Sequence, residues 1–322
     1  MDIKPIGGYF EIESLGNGGN FPQSKGLLLN TGRNALEYIL KSIGHVEKVY
    51  IPYYTCEVVL EPFKKLQIPF VFYHINQYLE IAEELNLGES EYVLYTNYFG
   101  IKDAYIRQLS CKYGDKLIVD CAQGLYTQHI TGIKTFYSPR KFVGIPDGAV
   151  VYIDNAVNPL LYGVDVSDDR MSHLYLRKEK GPQAGYADFR QNAAKLKMQP
   201  ILNMSLKTRD MLQQIDFESI KEQRIRNFRQ LHGALGSVNL LAISNEMSFE
   251  CPMVYPYWTT DKDLKGRLIK EQVFVATYWP NVLEWTESYM IENDLANNCI
   301  ALPIDQRYGE DDMNRIVDLI KQ

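Results

Sequence analysis

Residues 135–148 read Thr-Phe-Tyr-Ser-Pro-Arg-Lys-Phe-Val-Gly-Ile-Pro-Asp-Gly and lie between two short apolar runs, 134–137 and 149–153. Each run predicts a buried strand, and the serine, prolines and glycines between them predict a punctuated loop. Arg140 and Lys141 lie on that loop. A lysine held there has a restricted position and a partly desolvated environment, which lower the pKa of an amine and make it a nucleophile for a carbonyl. The competing interpretation is a solvated surface charge.

The stretch that precedes this loop carries a second signal. Residues 116–123 read Lys-Leu-Ile-Val-Asp-Cys-Ala-Gln, which predicts a buried, parallel-type strand that ends at Asp120. Open α/β sheets bind their ligands at the carboxyl ends of their strands. Asp120 precedes Lys141 by 21 residues. An aspartate for the pyridinium nitrogen and a lysine that forms an imine are the two groups that pyridoxal phosphate (PLP) requires from its protein.

These residues resemble a known family. The run Asp-Cys-Ala-Gln at 120–123, followed by Ser138, Lys141 and a glycine-containing turn into a strand, is similar to the fold-type-I PLP enzymes, most of all to the nucleotide-sugar aminotransferases of the DegT/DnrJ/StrS type. The resemblance extends from about residue 7 to the C-terminus and is densest between residues 30 and 148. In the family a serine usually stands five residues before the lysine, whereas Ser138 stands three before Lys141.

The resemblance implies an α/β fold class, the PLP-dependent transferase fold of type I. A large domain with a mainly parallel sheet would bind PLP and span residues 1–209. A linking helix and a smaller C-terminal α+β domain would span residues 210–322.

Composition bounds the partners and the compartment. The 322 residues carry a net charge of −6 with no basic run, which argues against nucleic acid as a partner. The start, Met-Asp-Ile-Lys-Pro, lacks the plan of a signal peptide, and no apolar run approaches the length of a membrane span. Five scattered cysteines without Cys-x-x-Cys spacing and five dispersed histidines predict reduced thiols in a cytoplasm and no metal site.

The N-terminal region is rich in glycine. Residues 16–20 read Gly-Asn-Gly-Gly-Asn, but this run lacks the Gly-Lys-Ser/Thr ending of a phosphate loop and follows no strong strand. A flexible loop is therefore predicted. The resemblance implies that the N-terminal arm lies near the mouth of the active site.

The next motif is a helix start. Apolar residues at 36, 39, 40 and 43 fall at helical spacing and predict a helix that begins near Gly32, after an apolar run at 26–30. The segment Thr31-Gly32-Arg33 would then place free amides and the positive end of the helix dipole together, which makes a phosphate cradle. A plain threonine N-cap is the alternative. The aspartate and lysine downstream favour the cradle, and in the resembling family this turn holds the cofactor phosphate.

Strands and helices then alternate, with strands at 48–52, 70–75, 92–96 and 116–120 and helices at 55–65 and 104–113. This alternation implies right-handed crossovers and a mainly parallel sheet. The strand ends carry polar and aromatic groups of the kind that a planar ligand needs, among them Cys56, Asn97 and Asp120. We expect Cys56 and Asn97 to contribute to cofactor binding. In the family an aromatic residue stacks on the pyridine ring at the position of Cys56, which leaves Tyr54 or Tyr98 to supply the ring face; simple packing of these tyrosines is the alternative.

The pattern loosens after residue 153. Polar loops are predicted at 165–170 and 178–185, and a long helical region from Asp188 onward. The family has Asn-Tyr-Arg here, and its asparagine reaches the phosphate of the neighbouring subunit. This chain has Asp188-Phe189-Arg190, so that contact is not carried over. Further on, the patterns predict a charged helix at 216–235, strands at 253–258, 274–279 and 300–303, and helices at 262–271 and 310–321.

Together, these features predict a PLP-dependent aminotransferase. Its acceptor would be a keto group on a nucleotide-linked sugar, in surface polysaccharide or amino-sugar biosynthesis, and its donor glutamate. Lys141 would hold PLP and move the proton, Asp120 would keep the pyridine nitrogen protonated, and Gln123 would touch the 3-oxygen of the ring. Ser138 and the turn at 31–33 would bind the phosphate. The resemblance implies a homodimer with shared active sites, and the large number of aromatic residues favours it; the alternative is that these residues fill the chain's own cores and the cleft between them.

Alternatives stay open at this point. A sugar dehydratase of the same fold has histidine in place of the lysine, so Lys141 counts against it. A PLP-dependent sugar-modifying enzyme of another reaction type, or a PLP-fold binding or regulatory protein without turnover, would keep both Lys141 and Asp120. A nicotinamide dehydrogenase is disfavoured because no Gly-x-Gly-x-x-Gly follows a strand.

Overall fold

The structure is a computed structural model that describes residues 4–16, 18–244 and 247–322. The first three residues of the signal-peptide prediction and Asn17 of the glycine-rich run lie outside the described residues. The strands are β1 (Ile6–Gly7), β2 (Leu27–Leu29), β3 (Lys48–Pro52), β4 (Phe70–Tyr73), β5 (Glu91–Thr96), β6 (Leu117–Cys121), β7 (Lys134–Tyr137), β8 (Ala149–Tyr152), β9 (Tyr255–Trp258), β10 (Val273–Phe274) and β11 (Cys299–Leu302). The helices are α1 (Gly32–Ile43), α2 (Leu60–Leu66), α3 (Asp103–Tyr113), α4 (Ser172–Lys180), α5 (Tyr186–Ala194), α6 (Leu206–Gln214), α7 (Phe217–Leu235), α8 (Leu264–Lys270), α9 (Val282–Trp285), α10 (Ile291–Asn298) and α11 (Glu310–Lys321).

A seven-stranded sheet with the order β2-β8-β7-β6-β5-β3-β4 forms the centre of the fold. Strands β3 to β7 are parallel to their neighbours among themselves, and β8 pairs antiparallel with both β7 and β2. Asp120 pairs with Thr96 of β5 on one side and with Phe136 of β7 on the other, so these three residues lie side by side at the carboxyl ends of the central strands. The predicted α/β class with a mainly parallel sheet is confirmed.

Successive residues of the central strands enter two different apolar cores. Leu117 and Val119 of β6 join the cluster on one face, and Ile118 joins the cluster on the other, where it packs with residues of α1. This alternation follows from the two-residue repeat of a strand. A sheet buried on both faces explains why its strands are almost continuously apolar.

Helix α1 begins where the sequence predicts it. Thr31 caps it, since its Oγ1 accepts a hydrogen bond from Asn34 N at 3.2 Å. The helix ends at Gly44, whose φ of 85° is costly for any residue with a Cβ. Its buried face holds Leu36, Ile39 and Leu40, which fix the helix against the sheet.

Several predicted elements are shorter than expected, among them the long helical region predicted from residue 188, which ends at Ala194, and two further elements. The helix predicted at 55–65 is a 3-10 turn followed by α2 from Leu60, and this start places Pro62 in the first turn, where its missing N–H costs nothing. The strand predicted at 274–279 ends at Phe274, because its partner β1 ends at Gly7. A Cβ on Gly7 would lie 2.3 Å from the Phe274 carbonyl oxygen.

The C-terminal elements have an apolar core of their own. Strands β9 and β11 pair antiparallel, and buried residues of α7, α8 and α11 join them in one cluster. Ile6 of the N-terminal arm belongs to this cluster and pairs with Val273 of β10. The boundary at residues 209 and 210 stays a prediction. Over the three described ranges, no helix has both the length and the apolar character needed to cross a membrane.

Candidate active site

A cavity of about 980 Å³ lies over the carboxyl ends of the central strands. Eight of the residues singled out in the sequence line it: Thr31, Gly32, Arg33, Cys56, Asp120, Gln123, Ser138 and Lys141. Residues 7–10 line it as well, which confirms the expected place of the N-terminal arm. The parallel sheet brings these groups together because the carboxyl ends of its strands lie on the same side of the sheet.

Asp120 is a buried carboxylate at the floor of this cavity. Its main-chain oxygen accepts a hydrogen bond from Asn97 N at 2.8 Å, and its Oδ1 accepts one from Ala122 N at 2.8 Å. Burial raises the pKa of Asp120 from 3.8 to about 6, although the Ala122 amide and the charge of Lys141 both lower it. Among the described residues Oδ2 has no hydrogen-bond donor, so it is free to accept a hydrogen bond from a ligand.

Lys141 ends the short turn Pro139–Lys141, whose main chain is closed by the bond from Lys141 N to Ser138 O at 3.1 Å. Its Nζ lies 5.7 Å from the centre of the Tyr278 ring. The side chain is exposed, so the partial desolvation expected from the sequence is not observed. The reason is that the turn places Lys141 on the wall of an open cavity and not between the strands.

The main chain after Lys141 is held by distant parts of the protein. Phe142 O accepts hydrogen bonds from Arg224 Nη2 and Gln306 Nε2, both at 3.0 Å. Arg224 is fully buried, and Gln306 also donates to Glu13 Oε2 at 3.0 Å. Both ends of the chain therefore fix the loop that carries the lysine.

The Gln123 side chain has one polar atom that is hydrogen-bonded and one that is not, among the described residues. Its Oε1 accepts a hydrogen bond from Phe99 N at 2.7 Å, which orients the amide. Its Nε2 is buried and has no partner among the described residues. A buried donor without a partner is costly, and a ligand oxygen at the cavity floor would satisfy it.

The start of α1 combines the two interpretations that the sequence left open. Thr31 acts as a plain N-cap, and Arg33 Nη1 pairs with Glu61 Oε2 at 2.9 Å. Yet both residues and Gly32 line the cavity, and the first amides of a helix have no partners within it. Ser138 also lines the cavity, but its side chain does not cap the turn that follows it.

Three sequence candidates are not brought to the cavity wall. Asn97 is fully buried, and its Nδ2 donates to Asp103 Oδ1 and to Thr127 Oγ1, both at 2.8 Å. Its amide thus holds the strand end together and is not available to a cofactor. Tyr54 and Tyr98 are also fully buried and pack with ring centroids 5.5 Å apart, which leaves Cys56, Tyr278 and Trp279 as the wall around the ring position.

The outer wall of the cavity was not found from the sequence. His173 and Arg177 of α4 line it, and their i, i+4 spacing places them on one helix face. Asn192 Nδ2 lies 3.0 Å from His173 Nδ1, and burial together with the charge of Arg140 lowers the pKa of His173 to about 4. Arg177 Nη2 donates to Gly7 O at 2.8 Å. The spacing is visible in the sequence, but no local pattern shows which way this helix faces.

No protein-family model matches the chain, and no curated protein matches it in sequence. Solved structures do match: a DegT/DnrJ/EryC1/StrS aminotransferase from Brucella abortus (16% identity, TM-score 0.59, 92% of this chain and 84% of that one), DesI in the presence of its TDP-sugar product (13%, 0.58, 92% and 79%), and the putative sugar aminotransferase Spr1654 from Streptococcus pneumoniae in its PMP form (12%, 0.62, 94% and 88%). At these identities the likeness establishes the fold. The chain has the PLP-dependent transferase fold of type I, as its sequence predicts.

Proposed function

We propose that the protein is a PLP-dependent aminotransferase of the DegT/DnrJ/EryC1/StrS type that aminates a keto sugar. The observation that supports this most strongly is that Lys141 and Asp120, the two groups PLP requires, line one cavity of a fold-type-I chain. The similar structures from Brucella abortus and Streptococcus pneumoniae, and DesI with its TDP-sugar product, agree with this reaction class.

The residues present fit the cofactor. Gln123 Nε2 is a buried donor that lacks a partner among the described residues, and it would bind the oxygen at position 3 of the ring. Asp120 Oδ2 would accept a hydrogen bond from the protonated ring nitrogen. The positive charge on that nitrogen would offset the cost of burying the Asp120 carboxylate, so the pair favours the protonated ring. Lys141 would hold the cofactor covalently. When bound, PLP supplies the electron sink for the carbanion that proton removal leaves on the substrate.

Lys141 would also move the proton. With its amine free, Lys141 Nζ would act as the base that takes a proton from the substrate carbon and the acid that gives it back. The bonds from Arg224 and Gln306 to Phe142 O keep the main chain beside Lys141 in place during this transfer. Proton transfer needs this fixed geometry, since a small displacement of the base lowers the rate steeply.

The substrate, the donor and the compartment complete the proposal. The acceptor is a nucleotide-linked keto sugar, and glutamate is the amino donor. The five cysteines are all unpaired, which fits a cytoplasmic protein.

We also propose a homodimer in which each chain completes the site of the other. Large apolar side chains that would favour burial in a partner are exposed along one segment, among them Leu160, Leu161, Val166, Met198 and Leu206. Light scattering tests this point: a mass near the 37.1 kDa of one chain with full activity would contradict it.

The reaction itself is tested by two half-reactions. The PLP-loaded protein should convert glutamate to 2-oxoglutarate, and the resulting amino form should then aminate a nucleotide-linked keto sugar in a panel of such sugars. Lys112→Ala, at an exposed helix position, is the matched control for handling and folding. Cofactor binding without either half-reaction, over a panel of donors and sugars, would instead support a binding protein without turnover.

A further inference from the structure

Among the described residues, Arg140 is the arginine of the cavity wall for which no hydrogen bond or ion pair is found. It immediately precedes Lys141 and lines the cavity together with the start of α1. Among the described residues it makes no hydrogen bond or ion pair, and its Nε is buried without an acceptor. The other arginines that line the cavity are all engaged, by a carboxylate or by main-chain oxygens: Arg33, Arg177 and Arg224.

The acid that acts on Arg140 is already occupied. Asp147 is fully buried and stabilises the charge of Arg140 from a distance. Its Oδ2 accepts a hydrogen bond from Ser205 N at 3.0 Å, and its Oδ1 accepts bonds from the hydroxyls of Ser205 and Thr208. These bonds hold Asp147 at the start of α6, so it is not a hydrogen-bonded partner for the guanidinium.

Two further arginines, Arg170 and Arg33, act on Arg140, and each is paired with an acid of its own, Asp165 at 2.8 Å and Glu61 at 2.9 Å. Burial and the charges of Arg170 and Arg33 lower the pKa of Arg140 to about 10, although Asp147 raises it. The guanidinium therefore stays protonated at neutral pH. The start of α1 adds the positive end of a twelve-residue helix to the same wall. Among the described residues the Arg140 guanidinium has no directly bonded acid, and a bound anion would supply one.

The wall beside the helix start also lacks a hydroxyl at one expected place. The residue five before Lys141 is Phe136, and its Cε2 atom would lie 4.0 Å from a Cβ built on Gly32. An aromatic ring thus stands where the resembling enzymes have a serine. A guanidinium presents several donors in a planar fork and can supply more than the lost hydroxyl.

We propose that Arg140 is the main side chain that binds the phosphate monoester of the cofactor, together with the first amides of α1. This inference rests on the proposed function, since it takes PLP as the ligand. It assigns to Arg140 the contact that the sequence suggested for Ser138. The two N–H groups of one guanidinium edge would face two oxygens of the phosphate dianion.

The test separates the phosphate from the ring. Binding of pyridoxal 5′-phosphate and of pyridoxal, which lacks the phosphate, is measured on the cofactor-free full chain for the wild type, Arg140→Gln and Arg140→Lys. Arg190→Gln, at an exposed position of α5, is the charge-matched control. We expect Arg140→Gln to weaken pyridoxal 5′-phosphate about 10- to 100-fold, with pyridoxal changed less than about threefold and Arg140→Lys intermediate.

Equal losses for both compounds, or no loss for either, would overturn the assignment while leaving the proposed function intact. If the wild type binds neither compound, the proposed function fails and the inference fails with it. A loss of pyridoxal 5′-phosphate binding confined to Arg140→Gln, with Arg190→Gln unchanged, is the result that supports the inference.

Discussion

The two walls of the cavity differ in how far their polar groups are already satisfied. On the sheet side, Asp120 Oδ2 and Gln123 Nε2 lack partners among the described residues, and Lys141 is exposed. On the outer side, Arg177 Nε is paired with Glu11 at 3.3 Å and the Tyr9 ring stacks on Phe189 with centroids 4.9 Å apart, although Arg177 Nη1 is buried without a partner among the described residues. Donors and acceptors without partners indicate where a ligand binds and reacts. Groups that bind one another instead fix the shape of the cavity and close it off from solvent.

This difference predicts the largest effect at Lys141. Lys141→Ala should lower the rate of both half-reactions by about 10³-fold or more, because it removes the covalent attachment and the proton carrier together. Single-turnover absorbance with glutamate measures the effect, and Lys112→Ala is the control. A loss smaller than tenfold would mean that the sheet-side wall does not carry the chemistry.

Asp120→Asn should have the next largest effect. Asparagine fills the same space but cannot stabilise a protonated ring nitrogen by charge, so we expect cofactor binding to be retained and the half-reaction to slow by about 10²- to 10³-fold. Equilibrium titration with PLP and stopped-flow absorbance separate the two quantities. Near wild-type rates would assign another role to Asp120.

The same substitution changes the pH dependence of stability in the cofactor-free protein. Because the pKa of Asp120 is raised from 3.8 to about 6, the folded state binds more protons than the unfolded state between these pH values. The stability of the wild type therefore falls as pH rises through this window, and Asp120→Asn removes that loss.

Relative to the wild type, Asp120→Asn should accordingly gain about 2 kcal/mol of unfolding free energy between pH 4 and pH 7. Denaturant titrations at several pH values measure the gain. Asp115→Asn, at an exposed position, should show no such trend. A pH-independent difference between the Asp120 variant and the wild type would show that Asp120 is not destabilised when charged.

The smallest effect is expected on the outer wall. The Tyr9 hydroxyl donates to Pro182 O at 2.8 Å, so Tyr9→Phe removes one hydrogen bond and should cost about 1 kcal/mol of stability. The half-reaction rate of Tyr9→Phe with glutamate should stay within about threefold of the wild type, because the Tyr9 hydroxyl holds the outer wall in place and does not contact the reacting groups. A rate loss as large as that of Asp120→Asn would show that the outer wall also takes part in the reaction, and the proposed difference between the two walls would be wrong.

The sequence predicted the sheet-side wall because its signals are local. Strands 48–52 and 134–137 end where the structure ends them, and Asp120 and Lys141 meet because neighbouring parallel strands share an edge. The outer wall depends on pairs far apart in the chain, such as the bond between Arg177 and Gly7 across 170 residues. Such contacts leave no periodic pattern.

Side-chain direction was also beyond sequence reasoning. Asn97 stands at a strand end, as expected for a ligand contact, but its amide turns inward to Asp103. Arg140 and Lys141 are adjacent on one loop, and the sequence pointed only to the lysine. What marks Arg140 is the lack of a partner among the described residues, which only the packed structure reveals.

The central claim is that Lys141 is the residue that holds the cofactor. Borohydride reduction of the protein with PLP, followed by proteolysis and mass spectrometry of the peptides, tests it most directly. We predict a single pyridoxyl group on Lys141 in the wild type and none in Lys141→Ala. A pyridoxyl group on another lysine in the wild type, or no stable label at all, would contradict the account.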